Sequence, residues 1–322
     1  MRSPPVTDEG RASDPYAGPV DQTRPPGPDT ELIRARRAPL TATLAVERYL
    51  PARGRPTVGA WCFLDAYGPL DVDGGPGMAV GPHPHTGLQT VTWLLEGTVV
   101  HHDSLGSHQP IHPGQLNLMT AGAGIAHAEL SPEHPTGRLQ GVQLWVALPE
   151  ASRRVPPAFE HHADLPRPTW GPVQATVLVG ALDGARSGAT TFSPLVGAEL
   201  SVAGGDEGVV PLDPDFEHAL VALDGAVALD GRPLEPGVAR YLAPGRRSLR
   251  LAGGPGGRAL LLGGEPFTEA LVMWWNFVGG SGEEVAQARQ DWEEGRFAPV
   301  PVAGVARVPA PALPPGRLLP RR

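Results

Sequence analysis

The run Gly87-Leu88-Gln89-Thr90-Val91-Thr92-Trp93-Leu94-Leu95-Glu96-Gly97-Thr98-Val99-Val100 decides the fold. It is rich in β-branched and aromatic residues, which suit a pleated, half-buried surface, and Glu96-Gly97 breaks it once. The pattern reads as strand, turn, strand, a hairpin. The second half of the chain echoes it. Val91 to Val99 compares with Ala219 to Val227, most clearly in Leu-acid-Gly-x-Val. Downstream, Pro113-Gly114 is answered by Pro236-Gly237, and Thr120-Ala121-Gly122 by Ala243-Pro244-Gly245. An internal duplication of one small antiparallel unit accounts for this. Such units bury their inner faces by closing into barrels or sandwiches, so the fold is expected to be all-β, with two antiparallel β-barrels.

Working outward, residues 1–35 carry many prolines and charges with little apolar periodicity and are expected to be a disordered extension. The first barrel is placed at 36–165. The prolines around 156–172 mark a boundary, and the second barrel occupies 166–300 together with a helix. Ser281-Gly282-Glu283-Glu284 has the form of a capping box, Val285, Ala288 and Trp292 follow at helical spacing, and Gly295 supplies a stop. This predicts one C-terminal α-helix. Trp274, Trp275 and Phe277 just before it are expected to pack rather than bind a ligand. Residues 301–322 are expected to be an extended tail.

Composition removes whole classes of function. The chain has 322 residues, of which Gly (42) and Pro (39) make up a quarter, yet 41% are hydrophobic, enough for a core. All 26 basic residues are Arg, which excludes a Schiff-base lysine and a phosphate-loop lysine. Cys62 is the only cysteine, so an internal disulfide and an iron–sulfur cluster are excluded, and a reducing compartment is expected. A net charge of −8 argues against nucleic acid as a partner. No apolar run is long enough to span a membrane, and the stretch after Arg36-Arg37 does not read as an export signal, so a cytoplasmic protein is expected.

The chain has 11 histidines, and all but His218 lie between His83 and His162. His83-Pro84-His85 places two imidazoles at i and i+2, one face of a strand. His127-Ala128-Glu129 repeats that geometry with an imidazole and a carboxylate. Either pair alone also reads as a polar surface strand. If both line one barrel, three nitrogens and one oxygen converge, a set that suits a first-row divalent metal and leaves positions open. Counting from the matched turns, the second copy has Pro211, Asp213, Arg250 and Ala252 at these places. One metal, in the first barrel, is therefore expected. Of the adjacent pair His101-His102, one side chain could face the pocket, with surface exposure as the default reading.

These residues carry a resemblance to the pirin family of bicupins. It rests on Pro82 to Gly97, on His102-Asp103-Ser104-Leu105-Gly106, on Met119 to Glu129, on Gln143-Leu144-Trp145-Val146 and on Gly264-Glu265-Pro266. The resemblance implies two cupin barrels face to face with a C-terminal helix. It also implies Fe(2+), or another divalent first-row metal, on His83, His85, His127 and Glu129. Thr86, Gln89 and Ala123 depart from the commoner pattern, in which the corresponding residues are charged, and a changed substrate preference at the pocket mouth is expected from them. Two functions follow from the resemblance. One is a quercetin 2,3-dioxygenase-type enzyme acting on a phenolic substrate with O₂, in which Glu129 is also the catalytic base. The other is a non-enzymatic, redox-sensitive iron protein that binds a transcription factor or metabolic enzyme.

Overall fold

The computed structural model describes residues 30–320 apart from 42–43, 76 and 205–206. The expected disorder of residues 1–29 lies outside the described residues. Order begins before residue 36, because Thr30–Arg34 forms a strand paired antiparallel with Val238–Leu242.

The duplication is written into the sheets. In the first unit, a seven-stranded sheet runs in the order Ala158–His162, Leu116–Thr120, Leu88–Glu96, Arg138–Ala147, Trp61–Asp71, Ala45–Leu50, Arg36–Pro39. A four-stranded sheet faces it, ordered Ala79–His85, Ile125–Leu130, Val99–Asp103, His108–Ile111. The second unit repeats both. Its large sheet is built on Val238–Leu242, Glu217–Asp224, Gly257–Gly264, Leu195–Val202 and Val173–Leu182, and its small one on Gly208–Pro211, Ser248–Gly253, Val227–Leu229 and Arg232–Pro233. Each barrel is thus a pair of packed sheets rather than a closed ring of hydrogen bonds. The strand Thr30–Arg34, which leads into the first unit, pairs in the second. Ala158–His162, at the end of the first unit, forms one edge of that unit's own large sheet. The N-terminal strand thus covers a sheet edge of the second unit.

The Glu96-Gly97 turn is not a hairpin. Leu88–Glu96 pairs with Arg138–Ala147 and Leu116–Thr120, whereas Val99–Asp103 pairs with Ile125–Leu130 and His108–Ile111. At Gly97 (φ +85°) the chain crosses from one sheet to the other. A Cβ there would stand 2.6 Å from the Arg138 carbonyl oxygen, so the corner requires glycine. Local sequence marks a turn but does not say whether the two strands it joins share a sheet.

The two units share a core. Trp61, Val91, Trp93 and Leu144 of the first pack with Leu195, Ala219, Val221 and Leu260 of the second. Trp61 Nε1 donates to the carbonyls of Val196 (3.1 Å) and Gly263 (3.2 Å), and Trp93 Nε1 donates to Glu199 (2.6 Å), which Arg258 grips through two nitrogens. These bonds satisfy the polar atoms that the interface buries.

The chain beyond Gly264 departs from the expected domain plan. It returns to the first unit, where Leu271, Met273 and Val278 pack on Cys62, Phe63, Leu88 and Met119. The helix Gly282–Glu293 forms as its cap predicts. Ser281 Oγ accepts from Glu284 N (3.2 Å), and the Glu284 carboxylate accepts from Gly280 N (2.8 Å). Its buried residues, Val285 and Trp292, pack with Trp274, Phe277 and Ala126, the last lying in the His127 strand. Among the described residues no helix is long and apolar enough to cross a membrane.

Candidate metal centre

His83 and His85 sit on Ala79–His85, and His127 on the neighbouring strand Ile125–Leu130, directly opposite His83. Alternation along the strand sends His83 and His85 to one face. Between Val80, which opposes Glu129, and His83, which opposes His127, the first strand carries an extra residue. This bulge sits at Gly81-Pro82 and re-aims the His-Pro-His segment. Gly81 also lets the C-terminal tail pass, since a Cβ there would stand 2.1 Å from the Ala306 carbonyl oxygen.

The three imidazoles are buried, and each offers a nitrogen within 4.8 Å of the others. His85 Nε2 lies 3.1 Å from His127 Nε2. His83 Nδ1 contacts the Gly81 carbonyl (2.9 Å), and His85 Nδ1 the Asn276 carbonyl (3.1 Å). A ring nitrogen facing a carbonyl must carry the proton, so Nε2 of both residues presents a lone pair to the centre. His127 Nδ1 is buried without a partner. Burial pushes His83 down to about 4, and burial with neighbouring imidazoles holds His85 and His127 well below the ordinary histidine range. Three neutral imidazoles aimed at one point are a donor set that fits a first-row divalent metal. Among the described residues this is the one such cluster.

Glu129 is buried and lines the same cavity, but it does not join the three histidines within 4.8 Å. The Thr92 hydroxyl stands 3.1 Å from both Glu129 Oε1 and Gln143 Oε1 and gives its single proton to one of them at a time. Burial raises the Glu129 carboxyl above its usual range, against the opposing pull of His101 and Thr92.

The cavity holds about 300 Å³. Its wall is a column of flat groups: Arg48 lies 4.5 Å over the Phe63 ring, Phe63 stacks on Trp145 at 3.9 Å, and Trp145 meets His85 edge-on at 5.1 Å. Arg48 is fixed by two 2.6 Å hydrogen bonds to buried Asp65. Met78, Val80, Met273 and Val308 supply apolar surface, the last from the C-terminal tail. Cys62 is in the core near Trp145, and burial pushes its thiol up to about 12, so it supplies no thiolate.

Several residues escaped the sequence. Trp274 and Phe277 pack as expected, but Trp275, at φ +52° in the two-residue turn they flank, lines the cavity, and the next residue offers its carbonyl to His85. The adjacent bulky aromatics hide a turn that only Asn276 betrays. His101 is buried, not exposed. It stacks on Phe159 at 4.3 Å, lies 5.3 Å from the His127 ring and contacts Asp103 Oδ2 at 3.1 Å through Nε2. His102 packs on His108 at the surface. Thr86 and Ala123 line a different cavity, beside the helix, and Gln89 is buried between Thr120 and the Thr190 carbonyl. None of these three is at the mouth of the histidine cavity. In the second unit, turn counting is out of step with the pairing. Val210, Leu249 and Leu251 point inward and fill the interior, while Arg250 is exposed.

Comparison with known proteins agrees with this architecture. Residues 43–146 match the family model described as Pirin, and residues 197–298 the one described as Pirin C-terminal cupin domain. A Pseudomonas aeruginosa protein named "Putative quercetin 2,3-dioxygenase" is 46% identical over 88% of this chain and 90% of its own. A Caulobacter vibrioides pirin-like protein is 38% identical over 82% of this chain and 92% of its own. A crystal structure of quercetin 2,3-dioxygenase from Acinetobacter baumannii superposes with a TM-score of 0.86 at 41% identity, covering 89% of this chain and 96% of that one. With both halves matched by the family models and two relatives above 30% identity covered almost end to end, the chain belongs to the pirin family.

Proposed function

We propose that this protein is a quercetin 2,3-dioxygenase-type oxygenase that acts on a flavonol or related phenolic with O₂, using Fe(2+) on His83, His85 and His127 beside Glu129. The observation that carries the reading is the convergence of three neutral, buried imidazoles at the foot of a cavity walled by stacked aromatic rings. A metal held there supplies Lewis acidity, redox capacity and open positions for small ligands.

The chain's own residues then do three things. The Phe63–Trp145 stack and the methionine and valine surface bind a flat aromatic body and keep water from it. Glu129, made more basic by burial, takes the proton of a substrate hydroxyl onto a carboxylate oxygen. Thr92 answers that change, donating to the carboxylate while it is charged and turning to Gln143 once it is neutral. Glu129 also completes the ligand set, as the family resemblance implies. The reducing cytoplasm suits both ferrous iron and the lone thiol. Iron-loaded protein is expected to bleach quercetin in the presence of air. Absence of turnover with every flavonol tried would overturn the enzymatic reading.

A further inference from the structure

One residue beyond His85 a second cavity begins, of about 330 Å³. It lies between Thr86-Gly87 and Gly122–Gly124 of the first unit and one side of the helix Gly282–Glu293. Arg153 lines it and is only 8% exposed. Its Nε is buried without a hydrogen-bond partner, and Nη2 donates to Glu269 across a long 3.3 Å. Glu269 is outside the lining and 38% exposed, so it compensates a buried cation poorly. In the same wall Arg154 pairs with Glu284, whose carboxylate also feels Arg153, and Arg296 pairs with Asp291. The lining thus carries three arginines, Arg153, Arg154 and Arg296, against two carboxylates, Glu284 and Asp291, an excess of one positive charge, and Arg153 is the buried member.

The niche is shaped for that guanidinium. A Cβ on Gly280 would stand 2.6 Å from Arg153 Nη1, and one on Gly87 3.1 Å from its Cγ, so both glycines make room for the side chain. Phe297, Ala288 and Val278 supply apolar surface around it. We infer that this cavity binds a small organic monocarboxylate, with the carboxylate on Arg153 and an apolar body against Phe297 and Ala288. An excess of one positive charge, centred on a buried planar guanidinium, calls for a single carboxylate. Glu284 and Asp291 in the same wall disfavour a more highly charged anion such as phosphate.

The probe is 4-bromobenzoate, located by bromine anomalous scattering in crystals of the metal-loaded protein and titrated calorimetrically in solution. The bromine is expected in this cavity with the carboxylate at Arg153. Affinity is expected to fall at least tenfold in Arg153→Met. It should fall equally in Ala123→Trp, which fills the cavity from an exposed position and leaves Arg153 in place, so that a folding defect in the first variant does not decide the matter. The uncharged 4-bromobenzyl alcohol should bind at least tenfold more weakly. Bromine found only beside His83, His85 and His127, bromine found nowhere, no calorimetric binding, or an affinity unchanged in Ala123→Trp would each overturn the proposal.

Discussion

His85 Nε2 and His127 Nε2 stand 3.1 Å apart, and the proton of His85 is committed to the Asn276 carbonyl on the far side of its ring. The space between them is therefore bridged either by the one proton of His127 or by a cation that both nitrogens share. Because burial holds His83 at about 4, and burial with neighbouring imidazoles holds the other two well below the ordinary histidine range, acid competes poorly with that cation. Bound metal is expected to persist through pH 5 and to be released only as the pH approaches 4. Elemental analysis after dialysis at stepped pH checks this. Release centred near 6.5, the ordinary histidine value, would mean that the imidazoles are solvated.

Glu129→Gln keeps the shape of the side chain and removes its basicity. The turnover number is expected to fall about 10²–10⁴-fold, the usual span for a lost general base. Metal content should stay near that of the wild type, since three imidazoles remain. Thr92→Val removes the hydroxyl between Glu129 and Gln143 and should cause a smaller fall of the same kind. Steady-state kinetics beside metal analysis separates the two effects. Loss of metal in proportion to activity would make Glu129 a ligand without a role as base.

Gly197 lets the two units meet. A Cβ there would stand 2.7 Å from Cζ2 of Trp61, a fully buried indole tied to Val196 and Gly263. Gly197→Ala is expected to cost about 1–3 kcal/mol, as overpacking of a tight core does. Trp61→Phe in the same chain should recover part of that, a coupling that a double-mutant cycle in urea measures. Strict additivity would mean the two residues do not press on each other.

His218 is the buried histidine of the second unit, and burial holds it at about 4 against an ordinary 6.5. Between those values the unfolded chain takes up a proton that the folded chain refuses. The stability present above pH 6.5 is therefore lost as the pH falls toward 4. From pH 7 to pH 5 this residue should account for about 2 kcal/mol of lost stability. His218→Leu should flatten the pH dependence of urea unfolding by that amount. An unchanged slope would show that the imidazole is solvated.

The sequence carries the fold where period and punctuation are local. The duplicated Leu-acid-Gly-x-Val corners, the Ser281 cap and the two His-x-(His/Glu) spacings all survive in the structure. It is silent where a choice is made at long range. Glu96-Gly97 marks a turn but not the change of sheet, and Thr30–Arg34 gives no sign that its partner is Val238–Leu242. The cavity wall is drawn from Arg48, Phe63, Trp145, Met273, Trp275 and Val308, residues brought together only by folding. Nothing in the sequence around His101 marks it as buried; its ring is covered by Phe159, from the edge strand Ala158–His162, which pairs with the distant Leu116–Thr120. Counting from turns aligned the two copies to within a residue, and one residue is enough to exchange an exposed Arg250 for a buried Leu249 or Leu251.

The most direct test is oxygen uptake with quercetin by protein reconstituted with Fe(2+), run beside His127→Ala reconstituted in the same way. If the histidine cavity is the centre of a dioxygenase, the wild type consumes one O₂ for each flavonol lost, while His127→Ala retains little iron and consumes none above buffer. Iron-loaded wild type that binds its metal at His127 and takes up no oxygen with any flavonol would contradict it.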